Sequence, residues 1–184
     1  MIKNISFLLL LLFNVSFAQT DTLLIFSEVM FSPTSGNNEF IEIYNLSSSQ
    51  SVDLNNYSIK YYTSTTDQIV DAGFGTILQP NSFAIIFEND YDLATGIYNG
   101  LVPANALILK IADNSFGASG MANTTSRPLW LFNSVNDTID YYFYSANNAT
   151  AISDEKKILN RDSLQTNWVN SLLTNGTPGF INSV

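Results

Sequence analysis

The 184-residue sequence contains no cysteine and no histidine, and only 12% of its residues are charged. Without these two residue types the chain cannot build a Ser-His-Asp or Cys-His catalytic site, a histidine-ligated haem or a Cys/His zinc centre. Disulfide bonds are also excluded, so a packed core must supply the stability. Lys and Arg number 7 against 16 Asp and Glu. The resulting net charge of −9 argues against a nucleic-acid partner, whose phosphates require cations.

The first eighteen residues have the pattern of a secretory signal peptide. Lys3 supplies a positive charge, an apolar run follows from Ile5 to Phe13, and Ser16-Phe17-Ala18 offers small residues at alternate positions. The run is about half of the roughly 20 residues that cross a bilayer, which argues against a stable membrane span. We predict a cleaved leader over 1–18, one domain over 19–184, and a secreted or cell-surface location. Loss of Lys3 changes the net charge from −9 to −10.

The rest of the sequence is typical of an all-β protein with 46% hydrophobic residues. Short apolar and aromatic runs are separated by Asn, Ser, Gly and Pro, and helical periodicity is absent. The predicted strands are 23–31, 39–44, 57–62, 69–70, 76–78, 83–87, 106–111, 129–132, 138–144 and 156–160. Only the segment from Asp90 to Tyr98 has helical potential, for one or two turns. This spacing of strands predicts a sandwich or a barrel.

Several motifs, taken in chain order, resemble a known family. They are Ser27–Met30 with Pro33, Asn38–Asn45, Val52–Ile59, Ile77–Phe83, and Trp168 with Gly176–Gly179. Together they resemble the lamin-tail domain in its bacterial, secreted form. The resemblance implies an immunoglobulin-like β-sandwich of roughly seven to nine strands with at most one short helix. It also implies an exported module that is not itself an enzyme.

Glutamates in the first two predicted strands are the candidate catalytic residues. A glycosidase-like pair drawn from Glu28, Glu39 and Glu42 would need two carboxylates held several ångströms apart. Strand alternation places Glu39 on one face and Glu42 on the other. The competing interpretation is structural: a carboxylate at a sheet edge that accepts backbone or tyrosine hydrogen bonds. We favour the structural interpretation and predict no catalytic residue.

A cluster of acidic residues follows the most apolar predicted strand. Glu88, Asp90 and Asp92 offer oxygen ligands at alternate positions, which suits calcium. The spacing fails the EF-hand pattern, because glycine and glutamate are missing at its sixth and twelfth positions. The alternative is a loop in which Asp90 or Asp92 caps a helical turn. Calcium is therefore a weak candidate, and no other cofactor is predicted.

Other polar features have structural interpretations. Asp53 is expected to order its own turn, and the glycine pairs Gly73/Gly75 and Gly117/Gly120 are expected to form loop corners and not phosphate cradles. The single cationic cluster is expected to be a solvated strand end. Its members are Lys156, Lys157 and Arg161.

Aromatic residues provide the candidate binding surface. The run from Tyr141 to Tyr144 must present rings to both faces of its strand, and exposed Tyr and Trp commonly anchor sugars or protein partners. We place the surface at Tyr142, Tyr144 and Trp168, whereas Trp130 is assigned to the core. The alternative is that these rings form cross-strand pairs that stabilise the sheet.

These observations together predict a non-catalytic, structural or adhesive module. It would bind a protein or glycan partner at the cell surface or in the medium. A carbohydrate-binding module is the first alternative, and a carboxylate- or calcium-dependent hydrolase is the second.

Overall fold

The computed structural model describes residues 23–36 and 38–184, which form twelve strands and no α-helix. The predicted leader lies outside these residues. The strands are β1 (Leu24–Met30), β2 (Phe40–Asn45), β3 (Val52–Asp53), β4 (Ser58–Tyr61), β5 (Thr66–Asp71), β6 (Ile77–Leu78), β7 (Phe83–Phe87), β8 (Leu107–Ile111), β9 (Arg127–Phe132), β10 (Thr138–Tyr144), β11 (Asp154–Lys156) and β12 (Trp168–Asn170). A single turn of 3₁₀ helix, Gln165–Asn167, precedes β12. Within the described ranges, no helix has the length and apolar character that a membrane crossing requires.

Ten of the strands form one curled sheet in the order β10-β9-β4-β5-β8-β7-β2-β1-β11-β12. All neighbours are antiparallel except β7 and β8, and β3 pairs with β6 in a separate ribbon. Strand β5 turns the corner, since Thr66 to Gln68 pair with β4 and Ile69 to Asp71 pair with β8. The curl brings β10 against β1, where the Phe26 amide donates to Asp140 over 2.7 Å. The predicted all-β, immunoglobulin-like sandwich is confirmed.

The main core lies between the two layers of the curled sheet. It is built from the inward-facing residues that alternate along the strands. Burial of each large apolar side chain contributes roughly 1.5–3 kcal/mol. Its largest fully buried members are Phe26, Phe31, Tyr57, Phe116 and Tyr144. A smaller outer core covers the opposite face of β1, β2 and β7. The outer core consists of Met30, Phe40, Ile85, Phe87, Tyr91 and Tyr98.

A β-bulge at Ser27 decides which side chains of β1 face each core. The pairing with β2 shifts between Phe26 and Glu28, so Ser27 is the inserted residue. Before the bulge Phe26 faces the main core, and after it Val29 does so. Strict alternation would have placed Glu28 beside Phe26 in the main core. The bulge instead turns Glu28 to the other face of the sheet.

The segment from Asp90 to Tyr98, which had the helical potential, forms turns and no helix, within the predicted limit of at most one short helix. The Gly96 amide donates to the Asp92 carbonyl, but this single helical turn is not continued. Tertiary contacts explain why: the Tyr98 amide donates to the Tyr91 hydroxyl over 3.0 Å, and both rings are buried in the outer core. Packing of two tyrosines therefore overrides a weak local helical preference.

The strand count exceeds the predicted seven to nine because four strands contain only two or three residues. The predicted strand at 156–160 is displaced: β11 ends at Lys156, and β12 pairs with it from further along the chain. Strands this short carry too few residues for an alternation pattern.

Candidate functional site

Three glutamates form a row across the neighbouring strands β2, β1 and β11. Glu28 lies opposite Glu42 on one side and opposite Glu155 on the other. Directly opposed residues of antiparallel strands share a face and have side chains about 5 Å apart. All three side chains are 0% exposed. We call these residues the glutamate row.

The C-terminal segment 176–183 lies over the glutamate row and donates hydrogen bonds to it. The Gly179 amide donates to Glu42 over 2.6 Å, and the Thr177 amide donates to Glu28 over 3.0 Å. The Ser27 hydroxyl, at the bulge, donates to the other oxygen of Glu42 over 2.6 Å. The bulge and the closing Gly-Thr-Pro-Gly motif are thus bonded to the same carboxyl groups.

Glu155 is held by the same segment at the far end of the row. The Thr177 hydroxyl lies 2.9 Å from Glu155 Oε1, and the Ser183 amide and hydroxyl both lie 2.7 Å from Oε2. No Lys or Arg of the described residues contributes a hydrogen bond to the three glutamates. The row is therefore stabilised by neutral donors and not by ion pairs.

Burial raises the pKa of two members of the row, Glu28 and Glu42. Desolvation raises the pKa of Glu28 to about 8, opposed by the Ser153 hydrogen bond and reinforced by the charge of Glu155. Desolvation also raises the pKa of Glu42 well above its usual range, and the neighbouring Glu28 charge adds to this. Burial therefore favours the protonated form of both Glu28 and Glu42.

Besides the glutamate row, Glu39 and Glu88 form a buried acidic pair at the end of the main core. The Met121 amide donates to both oxygens of Glu39, over 2.9 and 2.8 Å, and the Glu39 amide donates to Glu88 over 3.3 Å. Burial raises the pKa of Glu39 to about 9 and that of Glu88 to about 7. Glu39 lies on the opposite sheet face from Glu42, as strand alternation predicted.

This geometry favours the structural interpretation of the candidate catalytic residues. A glycosidase pair must face a cleft that admits substrate and water. Glu28 and Glu42 are fully buried beneath segment 176–183, and Glu39 is bonded to a backbone amide. The carboxyl groups act as acceptors that attach distant segments of the chain to the sheet.

The three calcium candidates are not brought together. Glu88 is buried and accepts the Glu39 amide, whereas Asp90 and Asp92 are exposed. The Asp92 carboxylate accepts the Ala94 amide over 2.8 Å and so orders its own turn. The hydrogen bond from the Thr95 hydroxyl is the main cause that lowers the pKa of Asp92, and the bond from the Ala94 amide is the next. Across residues 23–36 and 38–184, no group of three acidic side chains is placed to hold a metal ion.

Two of the three predicted binding residues meet in the structure, but inside it. Tyr142 and Trp168 stack with ring centroids 3.6 Å apart, and they are only 3% and 8% exposed. Tyr144 is fully buried and stacks on Phe31 at 4.7 Å. The expected exposure of these rings is therefore wrong, because this side of β10 packs against β1 and the main core.

The other side of β10 carries the exposed rings. Tyr141 and Phe143 are 39% and 40% exposed, and Tyr141 lies opposite Trp130 of β9. Trp130 in turn lies opposite Lys60 of β4. We call the outward side chains of these three strands the aromatic face. They are Lys60, Pro128, Trp130, Phe132, Thr138, Tyr141 and Phe143, together with Ser58, which is buried.

Sequence reasoning missed the aromatic face for two reasons. It assigned Trp130 to the core, and it expected Tyr142 and Tyr144, not Tyr141 and Phe143, on the exposed side of β10. The available signal was the pattern of β9, in which Leu129 and Leu131 alternate with Trp130. Two leucines on one side predict that the tryptophan occupies the other. Pairing of β10 with β9 then places Tyr141 beside it.

Of the remaining predictions for loop and charged residues, some are confirmed and one is corrected. Asp53 orders its turn by accepting the Asn55 amide over 3.0 Å, and Gly73 and Gly75 have positive φ at a loop corner. Lys156 is not solvated, which corrects the prediction for that cluster. Its ammonium is buried, donates to the Asn160 and Asp162 carbonyls, and has a pKa lowered by that burial. Lys157 and Arg161 are exposed, as expected.

The fold, the sealed carboxyl groups and the exposed sheet face define an immunoglobulin-like β-sandwich module. The family model of the lamin tail domain matches residues 18–160, and the chain belongs to this family. Lamin tail domains are immunoglobulin-like, non-enzymatic modules. Comparison with the curated proteins found no match.

Proposed function

We propose that the protein is an exported, non-catalytic lamin-tail module that binds a macromolecular partner through its aromatic face. The partner would be met at the cell surface or in the medium. One observation carries the proposal: Tyr141, Trp130 and Lys60 form a continuous outward row across three neighbouring strands. Soluble proteins seldom leave such rings together on a flat surface unless they contact something.

The rings of the aromatic face are not needed for the fold. The main core already contains buried rings from both layers, and Tyr141 and Phe143 project away from it. Trp130 and Tyr141 contact each other with centroids 5.4 Å apart, so each ring supports the orientation of the other. Rigid aromatic side chains lose little entropy on binding, which makes such a pair a suitable anchor.

The buried acids support a binding role more than a hydrolytic one. Their hydrogen-bonding capacity is directed to segment 176–183 and to the Met121 amide. A hydrolase would instead direct a carboxyl group into a cleft. Glycosidase activity that disappears in the Glu39→Gln and Glu42→Gln variants would contradict the proposed function.

Export and binding can be tested in one preparation of source cells. We expect the medium or envelope fraction to contain a chain that begins at Gln19, identified by intact mass. Fluorescent purified protein should bind intact cells, and the Trp130→Ala/Tyr141→Ala variant should lose most of this binding. Phe74→Ala removes another exposed ring, on the Gly73/Gly75 corner, and should bind normally. Retention of the precursor in the cytoplasm, or equal binding by both variants, would overturn the proposal.

A further inference from the structure

We infer that the aromatic face binds an acidic polysaccharide, one whose sugar rings carry carboxylate groups. This inference rests on the proposed function and gives its ligand a chemical class.

The first support is the shape of the aromatic face. Neighbouring strands lie about 4.8 Å apart, so the row from Tyr141 through Trp130 to Lys60 spans about 10 Å. A length of this order covers more than one sugar ring of a linear glycan. Trp130 and Tyr141 can stack on the C–H faces of successive sugars, and the tyrosine hydroxyl remains free to bond their oxygens.

The second support is the set of residue types at the outward positions. The outward positions of β4, β9 and β10 contain aromatic rings, a proline, the exposed Thr138, a lysine and the buried Ser58, but no Leu, Ile, Val, Met or Arg. The adjoining half of β5 adds Thr66 and Gln68. Protein-binding surfaces are enriched in Met and Arg beside their aromatic anchors and are depleted in Lys. Rings bordered by hydroxyl and amide groups instead suit a sugar, whose faces are apolar and whose edges are polar.

The third support is charge. In a chain with a net charge of −9, the aromatic face carries one cation, Lys60, and no carboxylate. The Lys60 ammonium lies 5.7 Å from the centre of the Trp130 ring. A cation beside a stacking ring is placed to meet a carboxylate attached to the sugar that covers that ring.

Lys60 is available for a ligand, whereas Lys110 and Lys156 are not. The Lys110 ammonium donates to the Asn89 and Tyr91 carbonyls, and Lys156 is buried. Within the part of the chain that the structure describes, the Lys60 ammonium has no hydrogen-bond or ion-pair partner besides its contact with the Trp130 ring. At the neighbouring end of β9, Arg127 lies 4.0 Å from the ring centre of exposed Tyr62 and extends the positive region.

Isothermal titration calorimetry with two forms of one polymer tests the ligand class. The probes are polygalacturonate and its fully methyl-esterified form, which keeps the sugar rings but removes their charge. We expect the purified full chain to bind polygalacturonate more tightly than the ester, with affinity that falls as salt rises. Equal affinity for both polymers would overturn the acidic specificity, and no binding to either would overturn the glycan class.

Single substitutions then locate the site. Trp130→Ala or Tyr141→Ala should weaken polygalacturonate binding by about tenfold or more, as expected for anchor residues. Lys60→Gln should weaken it about threefold to fivefold and remove the preference over the ester. The controls Phe74→Ala and Lys157→Gln remove an exposed ring and an exposed cation elsewhere, and should bind as the parent does. A Lys157→Gln effect equal to that of Lys60→Gln would overturn the site.

The two proposals fail differently. If the Trp130→Ala/Tyr141→Ala variant loses cell binding while polygalacturonate does not bind the parent, the ligand class is wrong and the binding function stands. If the variant binds cells normally, the proposed function itself is wrong. Thermal unfolding of Tyr141→Ala and Lys60→Gln should match that of the parent, which excludes misfolding as the cause of lost binding.

Discussion

Glu28 and Glu42 lie opposite each other on β1 and β2, and both carboxyl groups are completely buried. The Ser27 bulge makes this arrangement possible by turning Glu28 to the face that Glu42 occupies. The Thr177 and Gly179 amides then attach a segment more than a hundred residues away to this pair. The glutamate row therefore serves as the attachment site for the C-terminal segment.

Stability should fall as pH rises above the ordinary range of carboxyl pKa values. Folding raises the pKa of Glu28 from 4.5 to about 8 and that of Glu39 to about 9, so both groups gain protons on folding at neutral pH. A raised pKa gives a stabilisation that is complete below pH 4.5 and lost as pH rises through the folded value. Each such proton contributes a slope of roughly 1.4 kcal/mol per pH unit within that window. Urea unfolding between pH 5 and pH 9 measures the slope.

The Glu28→Gln variant identifies the source of this pH dependence. Glutamine resembles the protonated acid and cannot lose a proton, so the variant should show a shallower slope between pH 4.5 and about 8. Asp53→Asn, at an exposed position, should keep the parent slope. Stability that is constant or rises from pH 5 to pH 9 would contradict the protonated state of Glu28.

Gly176 should tolerate substitution far less than a glycine of similar backbone conformation in open space. A Cβ at Gly176 would lie 1.8 Å from Glu28 Oε1 and 2.6 Å from Ser153 Oγ. Gly100 has a comparable φ of +80°, against +69°, but no atom lies within 4 Å of its Cβ position. Gly100→Ala should therefore cost about 1 kcal/mol for the backbone alone. Gly176→Ala should cost clearly more because it also separates segment 176–183 from the glutamate row.

Thermal unfolding of the two alanine variants measures this difference. Since both substitutions impose a similar backbone cost, the excess for Gly176→Ala reports the crowding at Glu28. Equal losses of stability would show that the C-terminal segment is not bound against the row.

Removal of one hydroxyl should weaken the attachment of this segment without disturbing its shape. Thr177 Oγ1 lies 2.9 Å from Glu155 Oε1 and 3.3 Å from Glu28 Oε2. Thr177→Val keeps the volume but leaves a buried acceptor without its donor, at a cost of roughly 1–3 kcal/mol. Thr174→Val is the matched control, because Thr174 is exposed three residues before Thr177. Urea unfolding and amide hydrogen exchange of residues 176–183 measure the effect, and equal behaviour of the two variants would contradict it.

Much of the fold could be predicted because long strands carry their own pattern. The run 83–87 reads as a buried strand from its composition, and 138–144 reads as a strand from its aromatic residues. The short strands β11 and β12 could not be predicted, because they exist only by pairing with β1 and with each other. The family resemblance supplied the sandwich, which local pattern alone left open against a barrel.

The site was harder to predict than the fold because it depends on which face of the sheet each strand residue occupies. A single inserted residue, Ser27, changes the face of Glu28, and alternation alone does not reveal a bulge. The same uncertainty affected β10, where Tyr141 and Tyr142 are chemically identical and only the location of β1 decides which is buried. Composition identified the right residue types in both cases, whereas tertiary pairing determined their roles.

The two neighbouring tyrosines of β10 should separate stability from binding. The Tyr142 hydroxyl donates to Asp154 over 2.6 Å inside the protein, so Tyr142→Phe should cost roughly 1–2 kcal/mol of unfolding free energy and leave binding by the folded protein unchanged. Tyr141 is exposed, so Tyr141→Phe should change stability by less than about 0.5 kcal/mol. Tyr141→Ala should weaken binding while Tyr142→Phe does not, as measured by calorimetry and by thermal unfolding of the same samples. The reverse result, with Tyr142→Phe impairing binding and Tyr141→Ala silent, would return the binding surface to the buried side of β10.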